Sequence, residues 1–213
     1  MSVEQAYNHW ASQYDTNENK TRDLEAVALR ELLTTINFNT VLEIGCGTGK
    51  NTVWLLQKAS FVTAVDFSEE MLNQAKQKLK KELETGKVNF IRADITKAWS
   101  FVKEKFDLVT FSLVLEHLKN LEDIFEKVAN SLKAGGYMYI GELHPFKQYA
   151  GSKARFQTAE GEKVLECYTH HLSDFTNAAN AYGLAPVLIK EYFDDNDRTT
   201  LPRLLSILFV KKS

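Results

Sequence analysis

The sequence has only three prolines and two cysteines in 213 residues, no marked excess of charge of either sign and no long apolar run. Two cysteines, Cys46 and Cys167, cannot build a disulfide framework. The polar opening of residues 1–5 lacks the apolar core of a secretory leader, so a reduced, cytoplasmic protein is expected. With 26 Lys and Arg against 28 Asp and Glu, the formal net charge of -2 offers no general attraction for phosphate backbones or anionic lipid. Nucleic acid is therefore not an expected partner. The richest apolar stretch, residues 106–118, is broken by Asp107, Thr110, Ser112 and Glu116, so no membrane-spanning helix is expected. No repeat, linker or heptad pattern divides the chain, and a single domain over residues 1–213 follows, as a monomer or homodimer.

What is present is an alternation. Short apolar runs rich in β-branched residues recur at 41–44, 61–65, 88–92, 106–111 and 137–140. Helical patterns fall at 52–58, 69–83 and 121–132, with apolar residues three or four apart. This is the signature of βαβ units and a parallel sheet in an α/β fold. A further helix is expected at 174–182, then strands at 187–192 and 206–211. The last two have no helix between them, and their connection carries Asp194, Asp195, Asn196, Asp197 and Pro202, which suits an antiparallel hairpin. Residues 1–37 supply two helices ahead of the first strand; Tyr7, Trp10 and Tyr14 would share one helical face. Residues 144–172 form an insertion too long for a simple connection, and such insertions are often functional.

The strongest local signal is the strand Val41-Leu42-Glu43-Ile44 running into Gly45-Cys46-Gly47-Thr48-Gly49. Alternate glycines let the chain turn sharply into a helix and let a ligand approach the backbone. A dinucleotide fingerprint would need its third small residue where Lys50 stands, and a Walker-type loop would need Ser or Thr where Asn51 stands. About twenty residues after the first glycine, Asp66 ends the second strand, the spacing at which a carboxylate accepts ribose hydroxyls. Asp94 ends the third. Open α/β sheets bind ligands at the carboxyl ends of their strands, so Glu43, Asp66 and Asp94 would make an acidic rim, suited to a cationic adenosine-containing ligand.

These residues resemble the class I S-adenosylmethionine-dependent methyltransferases, in particular the small-molecule branch of ubiquinone, menaquinone and malonyl-carrier enzymes. The resemblance runs through residues 7–15, the glycine motif, Val65-Asp66-Phe67-Ser68 with Met71, Ala93-Asp94, Phe106-Asp107-Leu108-Val109 with Leu115-Glu116-His117-Leu118, and Leu132-Lys133-Ala134-Gly135-Gly136. It implies a Rossmann-like seven-stranded sheet of order 3-2-1-4-5-7-6, strand seven antiparallel, with helices on both faces. It also implies S-adenosyl-L-methionine as cofactor and a small-molecule acceptor methylated on oxygen, nitrogen or carbon. Gly45, Cys46, Gly47 and Gly49 would line the methionine moiety, with Glu43 ordering the loop. Asp66 would take the ribose, and Phe67 and Met71 would pack near adenine. Asp94 and Ile95 would meet the adenine edge, Ser112 and Leu113 would lie beneath the sulfonium, and Tyr14 would belong to the covering helix.

A base for the acceptor is sought among His117, Glu142, His144, His170 and His171. Adjacent His170 and His171 on an extended segment point opposite ways, so no metal site is expected from them. Two other readings are open: a non-catalytic S-adenosylmethionine-binding module, and a nicotinamide-dependent oxidoreductase, against which Lys50 and the terminal hairpin argue.

Overall fold

A computed structural model describes residues 3–153, 155–158 and 161–212. The chain begins with α1 (Val3–Trp10) and α2 (Lys20–Leu33), then alternates through β1 (Thr40–Ile44), α3 (Lys50–Leu55), β2 (Phe61–Asp66), α4 (Glu69–Lys78), α5 (Lys80–Glu84) and β3 (Val88–Arg92). It continues with β4 (Phe106–Ser112), a 3-10 turn at Leu115–His117, α6 (Glu122–Ser131) and β5 (Leu132–Leu143). After α7 (Pro145–Tyr149) comes a small hairpin, β6 (Arg155–Thr158) and β7 (Gly161–Val164). The chain closes with α8 (Leu172–Ala181), β8 (Leu184–Tyr192) and β9 (Leu204–Lys211).

Seven strands form one sheet in the order β3-β2-β1-β4-β5-β9-β8. The first five are parallel, while β9 runs antiparallel to both β5 and β8. Counting only these strands, the order is 3-2-1-4-5-7-6, as the resemblance implies. The central strands are buried on both faces, which is why they read as continuous apolar runs. One core joins Leu42, Val109, Phe111 and Ile140 to Phe125 of α6 and Phe175 of α8. The other joins Val41, Val62, Leu108 and Tyr139 to Leu29, Leu32 and Leu33 of α2 and Leu55 of α3. A third, smaller cluster sits over the sheet's carboxyl edge, where Ala6, Trp10 and Ala11 pack on Met71 and Leu165.

Several expected boundaries move. The pattern at 69–83 is two helices, broken at Leu79 (φ -110°, ψ 30°). The first helix stops at Trp10, and Tyr14 lies in the following turns, yet its ring still meets Trp10 edge-on at 5.0 Å. The fifth strand begins at Leu132, ahead of the apolar run at 137–140, and takes in Gly135 and Gly136. A side chain on Gly136 would press to 3.0 Å of Lys133 O and 3.1 Å of Asp107 O, so glycine there serves close strand approach. Strand β8 sits at the sheet edge with Pro186 at a register shift, where a missing N–H costs least. Among the described residues, no helix is long and apolar enough to cross a membrane.

Candidate active site

The glycine loop leaves β1 at the middle of the sheet. Gly45 and Cys46 both donate N–H bonds to Val65 O, at 2.8 and 3.0 Å, which ties the loop to β2. Gly45 holds φ +74°, and a Cβ there would stand 2.2 Å from Val114 Cγ2, so only glycine lets β4's exit loop lie so close. At the end of β2, Asp66 accepts Gly47 N–H and Ser68 N–H, both at 2.8 Å. One carboxylate thereby links the glycine loop to the start of α4. Burial pushes the Asp66 pKa up, against the pull of these backbone donors. Asp94 accepts from the N–H and hydroxyl of Thr96 (2.9 and 2.6 Å).

These groups open on a cavity of about 310 Å³. Gly45, Asp66, Asp94 and Ile95 line it, as do exposed Phe67 and Leu113. Leu113 adopts φ 58°, a left-handed conformation that side-chain-bearing residues rarely take. His117, Tyr7 and Tyr14 complete the wall. Glu43 lies beneath the loop instead. It is buried, accepts the Thr52 hydroxyl at 2.6 Å, and has its pKa raised to about 8, chiefly by desolvation. Met71 is buried under α1, and Gly49 packs on Ala75 of α4 and on Leu79 just beyond it.

Cys46, Gly47, Ser112 and Leu113 border a second, narrow cleft of about 40 Å³ together with Arg22, Glu25 and Asn51, which sequence reasoning missed. Buried Glu25 accepts Ser112 Oγ (2.6 Å), Asn51 Nδ2 (2.9 Å) and Tyr139 OH (3.1 Å), so α2 is stapled over the sheet by one carboxyl. Two buried polar atoms here lack a close hydrogen-bond partner: Arg22 Nε, a donor that has only Asp23 Oδ1 at 3.5 Å, and Asn51 Oδ1, an acceptor. Buried orphans of opposite polarity in one cleft are costly unless a ligand answers both. A ligand that carries a carboxylate beside an ammonium would suit the pair, the first toward the guanidinium and the second toward the amide oxygen.

Of the candidate bases, His117 alone lines the cavity shared with Asp66 and Asp94. Its Nε2 is 3.0 Å from Tyr7 Oη, and its Nδ1 is 3.4 Å from Glu166 O. Glu142 is buried and accepts N–H bonds from Val114, Leu115 and Glu116 (2.9, 2.9 and 3.4 Å), which holds the 3-10 turn carrying His117. His144 caps α7 through Phe146 N–H and contacts Glu191 at 3.2 Å. His171 stacks on Tyr149, and His170 meets Leu118 O at 2.7 Å. His144 and His171 border a separate cavity of about 610 Å³ on the β8 side.

Residues 42–140 match the family described as "Methyltransferase domain". That match takes in 99 of the 213 residues, from the middle of β1 into β5. Over 99 aligned residues the chain is 40% identical to a demethylmenaquinone methyltransferase of Leptospira interrogans, covering 45% of this chain and 39% of that protein. The chain thus spans about two fifths of that relative's length. An uncharacterized methyltransferase of Emericella nidulans is 27% identical over 84% of this chain and 74% of its own length. Among solved structures, a DhpI complex with S-adenosylhomocysteine superposes with a TM-score of 0.76 at 23% identity, covering 98% of this chain and 94% of that one. The N-methyltransferase NodS of Bradyrhizobium japonicum, also bound to S-adenosylhomocysteine, gives 0.74 at 18% identity with both chains covered in full. These two likenesses concern the fold of the methyltransferase domain.

The cleft at Arg22 yields a direct expectation for this domain. Replacing Arg22 by Gln should weaken S-adenosylhomocysteine about ten- to hundred-fold, the loss of one charge-assisted contact. It should weaken adenosine, which has no amino-acid headgroup, far less. Calorimetric titration of both ligands checks this, and an equal loss for the two would remove Arg22 from the headgroup site.

Proposed function

We propose that the protein transfers a methyl group from S-adenosylmethionine to an oxygen, nitrogen or carbon atom of a small molecule, as a cytoplasmic monomer or homodimer. One observation carries this reading: the cavity at Asp66 and Asp94 abuts a second one, of about 410 Å³, and Tyr7, Tyr14 and Leu113 wall both. In this reading Asp66 holds the ribose, Phe67, Asp94 and Ile95 the adenine, and Gly45, Gly47, Ser112, Arg22 and Asn51 the methionine end. The acceptor occupies the second cavity, beneath the N-terminal elements and the 144–172 insertion.

When bound, the cofactor supplies a methyl group on a positively charged sulfur that is its own leaving group. The protein's task is then to hold the nucleophile close to that methyl, exclude water and remove a proton where the acceptor carries one. Because a carbonyl only accepts, Glu166 O fixes the proton of neutral His117 on Nδ1 and leaves Nε2 to accept from Tyr7 O–H. Burial and nearby negative groups hold the Tyr7 pKa well above that of a free phenol, so Tyr7 stays protonated. As the acceptor's O–H or N–H donates to Tyr7 Oη, Tyr7 passes its own proton to His117. His117→Gln and Tyr7→Phe should each lower kcat about 100-fold, the low end for lost general-base assistance, with unchanged cofactor affinity. A kcat within about three-fold of wild type in His117→Gln would dismiss His117 as the proton acceptor.

The reading itself is tested by thermal unfolding with saturating S-adenosylmethionine, S-adenosylhomocysteine and NAD in parallel. A ligand at 100 times its dissociation constant stabilises by about 2.7 kcal/mol. A shift with the two sulfur ligands and none with NAD supports the proposal. No shift with either in folded, ligand-free protein refutes it.

A further inference from the structure

The two adjoining cavities are lined with opposite charge. Glu4, Asp66 and Asp94 line the first, with no lysine or arginine on its wall, although Arg92 pairs with Glu4 from outside it at 2.7 Å. The second has Lys153, Arg155 and Arg203 against one acid, Glu116. In a chain whose formal charge is -2, three cations on one wall are not the average surface. Burial also pushes the Glu116 carboxyl toward its neutral form.

The arrangement at Arg203 is anchored. Its guanidinium forks onto Asp194, with Nη2 at 2.7 Å from Oδ2, and Nη1 donates to Thr21 Oγ1 at 3.1 Å. Lys147 stands behind, 3.3 Å from the same carboxylate, so Asp194 is shared between two cations and the group as a whole stays positive. Three of the five guanidinium N–H groups are thereby used, leaving one on each Nη without a partner among the described residues. Arg203 lies just before β9, beside the end of β5, whereas Lys153 and Arg155 come from the insertion. None of these cations is on the wall shared with the first cavity, which is formed by Tyr7, Tyr14 and Leu113.

We propose that the acceptor is an anion, whose carboxylate or phosphate is held by Arg203, Lys153 and Arg155 while its nucleophilic atom faces Tyr7. This rests on the methyltransferase reading and names the substrate class of that same site. A planar guanidinium fixed by a carboxylate behind it is pre-organised for an oxyanion. Lys153 and Arg155, exposed on the insertion, add attraction, Arg155 with its Nη2 donating to Gly151 O at 2.8 Å. The sign also separates the two ligands: the positively charged cofactor is favoured in the acidic cavity, and the anionic acceptor in the basic one.

The test is calorimetric titration of the protein loaded with S-adenosylhomocysteine, using acceptors in matched pairs that differ in the anion. Phosphoethanolamine is set against ethanolamine, and 3-hydroxybenzoate against 3-hydroxybenzyl alcohol. An anionic member should bind about ten-fold or more tighter than its twin without the anion, a preference that shrinks as salt is raised. The preference should disappear in Arg203→Ala and in the double variant Lys153→Gln/Arg155→Gln. The double variant alters only exposed side chains and serves if loss of the Asp194 fork unfolds the first. The pair that responds separates phosphate from carboxylate. Equal binding within both pairs, preference for the members without the anion, binding of neither anion, or a preference that survives in the variants overturns the proposal. Failure of S-adenosylhomocysteine itself to bind would instead overturn the methyltransferase reading and this inference with it.

Discussion

Asp66→Ala is expected to reduce S-adenosylhomocysteine affinity by roughly 100- to 1,000-fold, since two charge-assisted hydrogen bonds at about 1.5–2 kcal/mol each would be lost. The carboxylate has two jobs. It closes the gap between Gly47 N–H and Ser68 N–H, and it lines the cavity where the ribose would lie. Removing it leaves two backbone donors without an acceptor and loosens the glycine loop at the same time. Asp66→Asn separates the effects, because its amide oxygen can keep one of the two backbone bonds while the charge is gone. The affinity of the Asp66→Asn variant should therefore fall between those of wild type and Asp66→Ala. Calorimetry at fixed salt, on variants whose unfolding midpoints show that they are folded, measures both. Affinity in Asp66→Ala within about three-fold of wild type would be less than one ordinary hydrogen bond and would remove Asp66 from the cofactor site.

Much of the sheet was legible because the physics that buries β1, β2 and β4 on both faces writes continuous apolar runs into the sequence. The terminal hairpin was legible by a missing helix. The early start of β5 was not, since Gly135-Gly136 carries the same letters whether it ends a helix or lets two strands approach closely. The β6–β7 hairpin has no strong alternation over its four-residue strands, so residues 144–172 read only as an insertion.

The site divides in the same way. Gly45, Asp66 and Asp94 sit at strand ends, and strand order alone brings them to one edge. Arg22, Glu25 and Asn51 lie on helices, where a polar residue looks like a solvated one until the helix is docked. Glu25 meets Ser112 across 87 positions of sequence and Tyr139 across 114. Strand order put Glu142 and His144 near the right edge as well, but it carries no information on which way each side chain turns. Glu142 turns inward to hold the N–H groups of 114–116, and His144 turns toward Glu191 on β8. The acidic rim inferred from Glu43, Asp66 and Asp94 is two carboxyls at the cavity and one beneath it, with Arg22 close by at the narrow cleft.

Buried carboxyls also set how stability should vary with pH. Glu43 and Glu142 both have pKa values pushed up to about 8, first by desolvation, and burial raises Glu25 and Asp66 as well. A carboxyl with a raised folded-state pKa binds its proton more tightly in the folded chain. Its contribution is fully present below the unfolded value, near 4.5, and is lost as pH climbs to about 8. Asp107 and Asp194 are the opposite case, held down to about 2, and their contribution is lost as pH falls below the ordinary range of 3.8. His144, whose pKa burial lowers, subtracts stability below about pH 6.5 and partly offsets the raised carboxyls there. Stability should therefore peak near pH 5 and fall steadily between there and pH 8.5, with Tm falling alongside it. Glu43 isolates the effect, because it has the Thr52 hydroxyl as its hydrogen-bond partner and no cation beside it among the described residues. Glu43→Gln mimics the protonated form, so whatever its absolute stability, its Tm should decline less steeply between pH 5 and pH 8.5 than that of wild type. Urea unfolding across the same pH range gives the slope directly. A wild-type profile that is flat or rises over that interval, or an unaltered slope in Glu43→Gln, would mean that Glu43 is ionised beneath the glycine loop and that the loop rests on a buried charge.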